Sequence, residues 1–161
     1  MEHAYFEEAV IQYENFLAKK QGWIEDRIAA CLKLSDCYGR LCKHDLQWRS
    51  LFRSLEFATP RPEVCCKLGA MFMEENRMPE AIFWYESATR LEEPSVTGAS
   101  INYSYCTWLP YLQLCVCYDR LGQYARANEC NEQALKFNPN HPSMLSNRTY
   151  LADRLRKEPE L

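Results

Sequence analysis

The stretch from Trp108 to Pro139, WLPYLQLCVCYDRLGQYARANECNEQALKFNP, constrains the fold more than any other part of the chain. Tyr111, Leu114, Cys115 and Tyr118 fall at helical spacing, and Gly122 and Tyr124 mark a tight turn. Ala127, Asn131 and Ala134 define a second helical stripe, and Pro139 closes the unit. A lone pair of short helices cannot bury its apolar face, so such a unit requires further copies to stack on it. The spacing does recur. Leu34 and Leu68 are 34 residues apart, and Leu68 and Leu114 are 46 apart, an excess of 12 over one period.

The remaining chain follows the same plan. Residues 3–20 predict an amphipathic helix with Ala4, Ala9, Tyr13, Phe16 and Leu17 on one face. Ala9, Tyr13 and Phe16 repeat the spacing of Ala127, Asn131 and Ala134, so this segment reads as the second helix of a pair whose first is missing. That implies a chain starting in mid-repeat, as an excised piece of a longer protein would. Residues 25–58 form a degenerate pair: one helix with Ile28, Cys31, Leu34 and Tyr38 inward, and another expected from Asp45 to Ala58 with Leu51, Ser54 and Leu55 inward. Here Ser35 replaces the usual glycine and Gln47 stands in place of a small alanine. Residues 61–91 are a clearer pair, with Cys65, Leu68, Gly69 and Phe72 facing Ala81, Tyr85 and Ala88. Residues 92–107 carry the insertion, a loop containing Pro94, Ser95, Gly98, Ser100 and Ser104, and residues 108–137 are the last pair. Residues 143–157 form a polar closing helix, with Met144, Leu145, Tyr150, Leu151 and Leu155 expected inward.

The order of aromatic, Leu, small residue, Tyr, Gly, Ala, Ala and Pro resembles the tetratricopeptide (TPR) pattern, and 34 residues is its period. The resemblance implies an all-α fold: a TPR-like superhelix, or α-solenoid, of about eight antiparallel helices forming a single domain over 1–161 with a C-terminal capping helix.

Composition excludes several functions. The charged fraction is 25% and the formal net charge −3, leaving no electrostatic footprint for nucleic acid or an anionic membrane surface. No apolar run approaches the ~20 residues of a membrane span. The start, MEHAYFEEAVIQYENF, lacks the basic and then apolar order of a signal peptide. Nine cysteines, mostly within helices, read as buried thiols in a reducing cytoplasm, not as a disulfide framework. Neither Cys65-Cys66 nor Cys115/Cys117 has zinc-ligand spacing, so no metal or cofactor is expected. There is no P-loop, G-x-G-x-x-G, G-x-S-x-G or H-E-x-x-H, and no catalytic residue is assigned. His3, His44 and His141 fall at helix ends or turns, where solvated or capping roles are expected.

What remains is a binding surface lined by the first helix of each pair. By helical phase it presents Leu32, Lys33, Asp36 and Arg40, then Glu63, Cys66, Lys67, Ala70 and Glu74, then Leu112, Gln113, Val116, Asp119 and Arg120. The cap adds Asn147, Tyr150 and Arg154. TPR co-chaperones that hold a C-terminal carboxylate use Lys, Asn and Arg here, and this chain has Leu32 and Asp36 where Lys and Asn would be needed. The insertion brings Tyr103, Tyr105 and Trp108 close together; such aromatics stack on a sugar or peptide, or fold back onto neighbouring helices, which is the expectation here.

The runs RPEVCCKLGAMF and EAIFWYESA, the whole Trp108–Pro139 unit, and SNRTYL together resemble the C-terminal helical region of bacterial family 2 glycosyltransferases. The resemblance implies a cytoplasmic, bacterial TPR module that binds an acceptor, a partner domain or a subunit. The partner is a protein or peptide, including its own transferase domain or a second copy. The family's metal-binding Asp-x-Asp motif has no counterpart here, so this chain is not expected to be an enzyme. The alternative is a free-standing TPR adaptor that binds an extended peptide, with Lys33, Lys67 and Arg120 contributing.

Overall fold

A computed structural model describes residues 2–92 and 102–157. Among these the chain forms eight α-helices and no strand: α1 (Glu2–Ala18), α2 (Ile24–Arg40), α3 (His44–Ser54), α4 (Pro62–Glu74), α5 (Met78–Arg90), α6 (Trp108–Arg120), α7 (Tyr124–Phe137) and α8 (Pro142–Lys157). A short 3-10 turn spans Tyr103–Cys106 ahead of α6. The expected loop residues Pro94, Ser95, Gly98 and Ser100 lie outside the described residues. The chain divides into two compact units, Met1–Pro60 and Arg61–Leu161.

The 34-residue period and its 12-residue excess are written into the backbone. Cys42, Asn76 and Gly122 occupy the same place after α2, α4 and α6, and all three have positive φ, at 55°, 59° and 71°. The next amide in each turn bonds back across it at 2.9 Å: Lys43 to the Tyr38 carbonyl, Arg77 to Phe72 and Gln123 to Tyr118. This closing bond satisfies a carbonyl the helix end leaves free. Only Gly122 is a glycine, so the sequence advertises one of three identical turns.

Helix pairs are packed by exchanging large against small. A Cβ added at Gly69 would lie 2.9 Å from the ring of Tyr85, which is fully buried. The equivalent pairs are Ser35 with Leu51 and Cys115 with Asn131. The degenerate pair is rescued one turn along: Gln47, standing where Ala81 and Ala127 stand in the other units, lies against Gly39, where a Cβ would be 2.9 Å from its amide nitrogen. Within each unit, a second helix is tied to the following first helix by the same bond. Tyr38 donates to Glu14 at 3.2 Å, and Tyr118 donates to Glu86 at 2.9 Å. Arg53 joins the first pair by donating to Glu14 at 2.8 Å. Of the other equivalent positions, Phe52 and Phe72 carry no such groups, and Glu132 pairs instead with Arg148 at 2.6 Å.

Three expectations about helix ends and faces are corrected. The third helix stops at Ser54, not Ala58. Ser54 donates to the Leu51 carbonyl at 2.6 Å, and the chain turns so that Phe57 packs on the Leu17–Leu34 core beneath Arg27, 3.9 Å from its ring. Ala4 is exposed near the start of α1. On α8, Leu145 and Tyr150 are exposed, so the inward stripe narrows to Met144 and Leu151. α8 packs chiefly on α7, and Met144 and Leu151 are its buried residues.

The thiols are part of this core. Cys31, Cys37, Cys65, Cys66, Cys115 and Cys117 are buried, Cys106 and Cys130 half-buried and Cys42 exposed. Burial pushes Cys31, Cys65 and Cys117 up to about 11 from the ordinary 9.0, and Cys115 to about 12.

Three outcomes are expected. Gly69→Ala drives a methyl against the Tyr85 ring and should cost about 1–3 kcal/mol in chemical denaturation, whereas Cys42→Gly, which relieves a left-handed residue, should be neutral or stabilising by up to about 1 kcal/mol. The raised thiols favour the protonated form in the folded state. Their contribution is therefore complete below the ordinary 9.0 and is lost as pH climbs to about 11, so the melting temperature should fall across that alkaline window and not on mild acidification.

Candidate functional site

The expected groove residues fall into separate groups. In the first unit Lys33, Asp36 and Arg40 share an exposed strip of α2. Leu32 does not join them, being 7% exposed. α2 packs on both α1 and α3, so its buried arc is wider than one stripe and takes in Ala30, Leu32 and Cys37 as well.

In the second unit Lys67 is half-buried and Glu74 exposed on α4. Cys66 is 3% exposed, which removes it from the surface. α4 packs on the 3-10 turn as well as on α5, and burial pushes the Cys66 thiol strongly up, with Cys65 and Cys106 adding to the rise. On α6, Gln113, Val116 and Asp119 are half-buried and Arg120 is exposed. Leu112 turns inward against Ala134, Leu135 and Met144.

Of these, Asp119, Asn147 and Tyr150 converge. With Val116 and the buried Cys115 and Leu151 they line a small half-open cavity of about 40 Å³ between α6 and α8. Three residues come from one face of each helix, at i, i+1, i+4 on α6 and i, i+3, i+4 on α8. Asn147 makes a long 3.9 Å contact to the Cys115 sulfur. Arg154 donates to the Tyr150 hydroxyl at 3.1 Å and stacks over Tyr124 and Tyr150, 5.5 and 5.2 Å from their ring centres. Oδ1 of Asp119 is buried and has no hydrogen-bond partner.

What holds α8 in place was not legible as a functional signal. Asn131 is 0% exposed and its amide donates to the Met144 carbonyl at 2.9 Å. Asn131 occupies the position of Tyr85 in the preceding pair, and the loss of an aromatic there is the sequence trace of this link. On the far side Arg148 makes a two-pronged bond to Glu132 at 2.8 and 2.6 Å. His141 is half-buried at the start of α8, where its carbonyl accepts from the Leu145 amide at 3.1 Å, and its ring lies 5.0 Å from that of Trp108.

The insertion aromatics part company. Tyr105 packs on the main core of the second unit and Trp108 on the Ala134–Met144 cluster, while Tyr103 is 60% exposed. They present no shared stacking platform. Among the described residues no three His, Cys, Asp or Glu side chains gather as a metal set, and no helix is long and apolar enough to cross a membrane.

Comparison with known proteins agrees with this geometry. Residues 110–141 match the family model of the tetratricopeptide repeat. A crystal structure of MamA superposes with a TM-score of 0.70 at 20% identity, covering 92% of this chain and 77% of that one. A second MamA structure gives 0.66 at 19% identity over 96% of this chain and 81% of the other. A third, from AMB-1, gives 0.63 at 16% identity over 97% and 84%. No curated protein matches the sequence. At these identities the likeness to MamA is one of fold, and the chain carries a tetratricopeptide repeat within a helical TPR-like fold.

Proposed function

We propose that this chain is a non-catalytic protein-interaction module, an adaptor that holds an extended peptide against α6 and α8. A TPR-like fold is typically non-catalytic and binds proteins or peptides. The observation that carries the reading is the α6–α8 notch: it mixes Asp119, Asn147 and Tyr150 with Val116 and Leu151, yet at about 40 Å³ it admits one side-chain end and not a cofactor. Peptide grooves use such notches in series for specificity, with the flanking surface supplying area. Gln113, Arg120, Lys67 and Glu74 in the second unit, and Lys33, Asp36 and Arg40 in the first, are the further polar residues we assign to partner contact. Nine cysteines, none of them paired among the described residues, support a reducing compartment such as the cytoplasm.

Membership of a bacterial glycosyltransferase tail is the narrower alternative. The residues that suggested it have packing roles here: Trp108 covers the Ala134–Met144 cluster, Pro110 is buried, Asn147 reaches Cys115 and Arg148 pairs with Glu132. The adaptor reading needs nothing beyond the fold and the notch, and it is the one we favour.

Random-peptide display on the full chain tests it. A set of enriched peptides is expected, with binding weakened at least about tenfold by Val116→Arg or by Arg120→Glu while the thermal melt is kept. Failure to enrich any peptide, or binding indifferent to both substitutions, would refute the adaptor, and turnover of a sugar nucleotide by pure chain would refute the non-catalytic assignment.

A further inference from the structure

The α6–α8 notch holds a carboxylate with one oxygen that lacks a donor. Asp119 forms no ion pair among the described residues, and its Oδ1 is shut away from solvent without a donor. Buried acceptors are ordinarily satisfied, so an orphan carboxylate oxygen in a cavity wall calls for an explanation. Arg154 lies within electrostatic reach of Asp119 but gives this oxygen no hydrogen bond. Arg154 is committed to the Tyr150 hydroxyl and to the faces of Tyr124 and Tyr150, and Arg120 points to solvent. The other walls are Val116, Leu151, Cys115 and the Tyr150 ring, which are largely apolar, together with the Asn147 amide.

Deepening the adaptor reading and resting on it, we propose that the notch is an anchor for a lysine side chain of the partner protein. Its methylene stem lies along Val116, Tyr150 and Leu151, and its ammonium donates to Asp119. Lysine suits the site better than arginine because a cavity of about 40 Å³ takes a compact ammonium more readily than a planar guanidinium. A carboxylate ligand is disfavoured by Asp119 itself.

The isotope-labelled full chain is titrated by NMR with N-acetyl-lysine methylamide, with the arginine and norleucine analogues as controls. Saturable shifts are expected around Asp119, Asn147 and Tyr150 with the lysine compound, at least about tenfold weaker with arginine and absent with norleucine. Asp119→Asn, which keeps shape and removes charge, should abolish them. If that variant fails to fold, the norleucine control and the replacement of lysine by norleucine in display-selected peptides still decide the matter, with an expected loss of about tenfold or more. Shifts that are absent, indifferent to Asp119→Asn, or as strong with arginine overturn the proposal. Selected peptides that bind without lysine dependence overturn the anchor and leave the adaptor reading standing. Lysine-specific shifts without any selected peptide have the opposite meaning, supporting the anchor while the peptide-adaptor reading falls.

Discussion

The contact between the Tyr85 ring and the α4 backbone at Gly69 sets the scale for the helix pairs. Two helices come together only as closely as the bulk between them allows, and a fully buried aromatic ring leaves room for no Cβ opposite. The other pairs divide the space differently, with Ser35 opposite Leu51 and Cys115 opposite Asn131 in equivalent positions. The degenerate pair pushes the exchange one turn along, where Gly39 yields to Gln47. What recurs is the pairing of positions, not the identity of the residues.

That exchange also explains where the candidate site lies. Asn131 is smaller than Tyr85 and polar, and it reaches forward to the Met144 carbonyl instead of filling space. It fastens the closing helix through the backbone. Cys115, larger than Gly69, then becomes part of the cavity wall between α6 and α8. Met144 and Leu151 are the buried residues of α8, while the half-buried Asn147 and the exposed Tyr150 and Arg154 lie beside or beyond the cavity. The polar residues of the candidate site therefore lie on α6 and α8, the two helices that line the cavity.

Much of the fold was legible. Helix order, the 34-residue period and the place of the insertion all follow from apolar spacing and turn residues, since these are local properties. The losses are equally physical. Leu32 and Cys66 look surface-directed by helical phase, but a helix flanked on two sides buries a wide arc, and phase alone does not say how many neighbours there are. Tyr38 and Tyr118 read as space-filling aromatics, and their bonds to Glu14 and Glu86 span 24 and 32 residues, beyond any local pattern. Cys42 and Asn76 conceal two turns that Gly122 announces, because a helix end tolerates a non-glycine in the left-handed region when its closing bond is kept. The candidate groove was read as one list; the structure gathers only Asp119, Asn147 and Tyr150 of it around a common cavity.

The sequence by itself determined that the chain is helical, that its helices come as repeated pairs and that one of those pairs carries the tetratricopeptide pattern, because period and turn chemistry are encoded within a few residues of each position. Only the tertiary structure decided which polar residues meet. Asp119 and Asn147 are far apart in the chain, and nothing short of the packing of α8 on α7 brings them to one notch or leaves a carboxylate oxygen there without a partner.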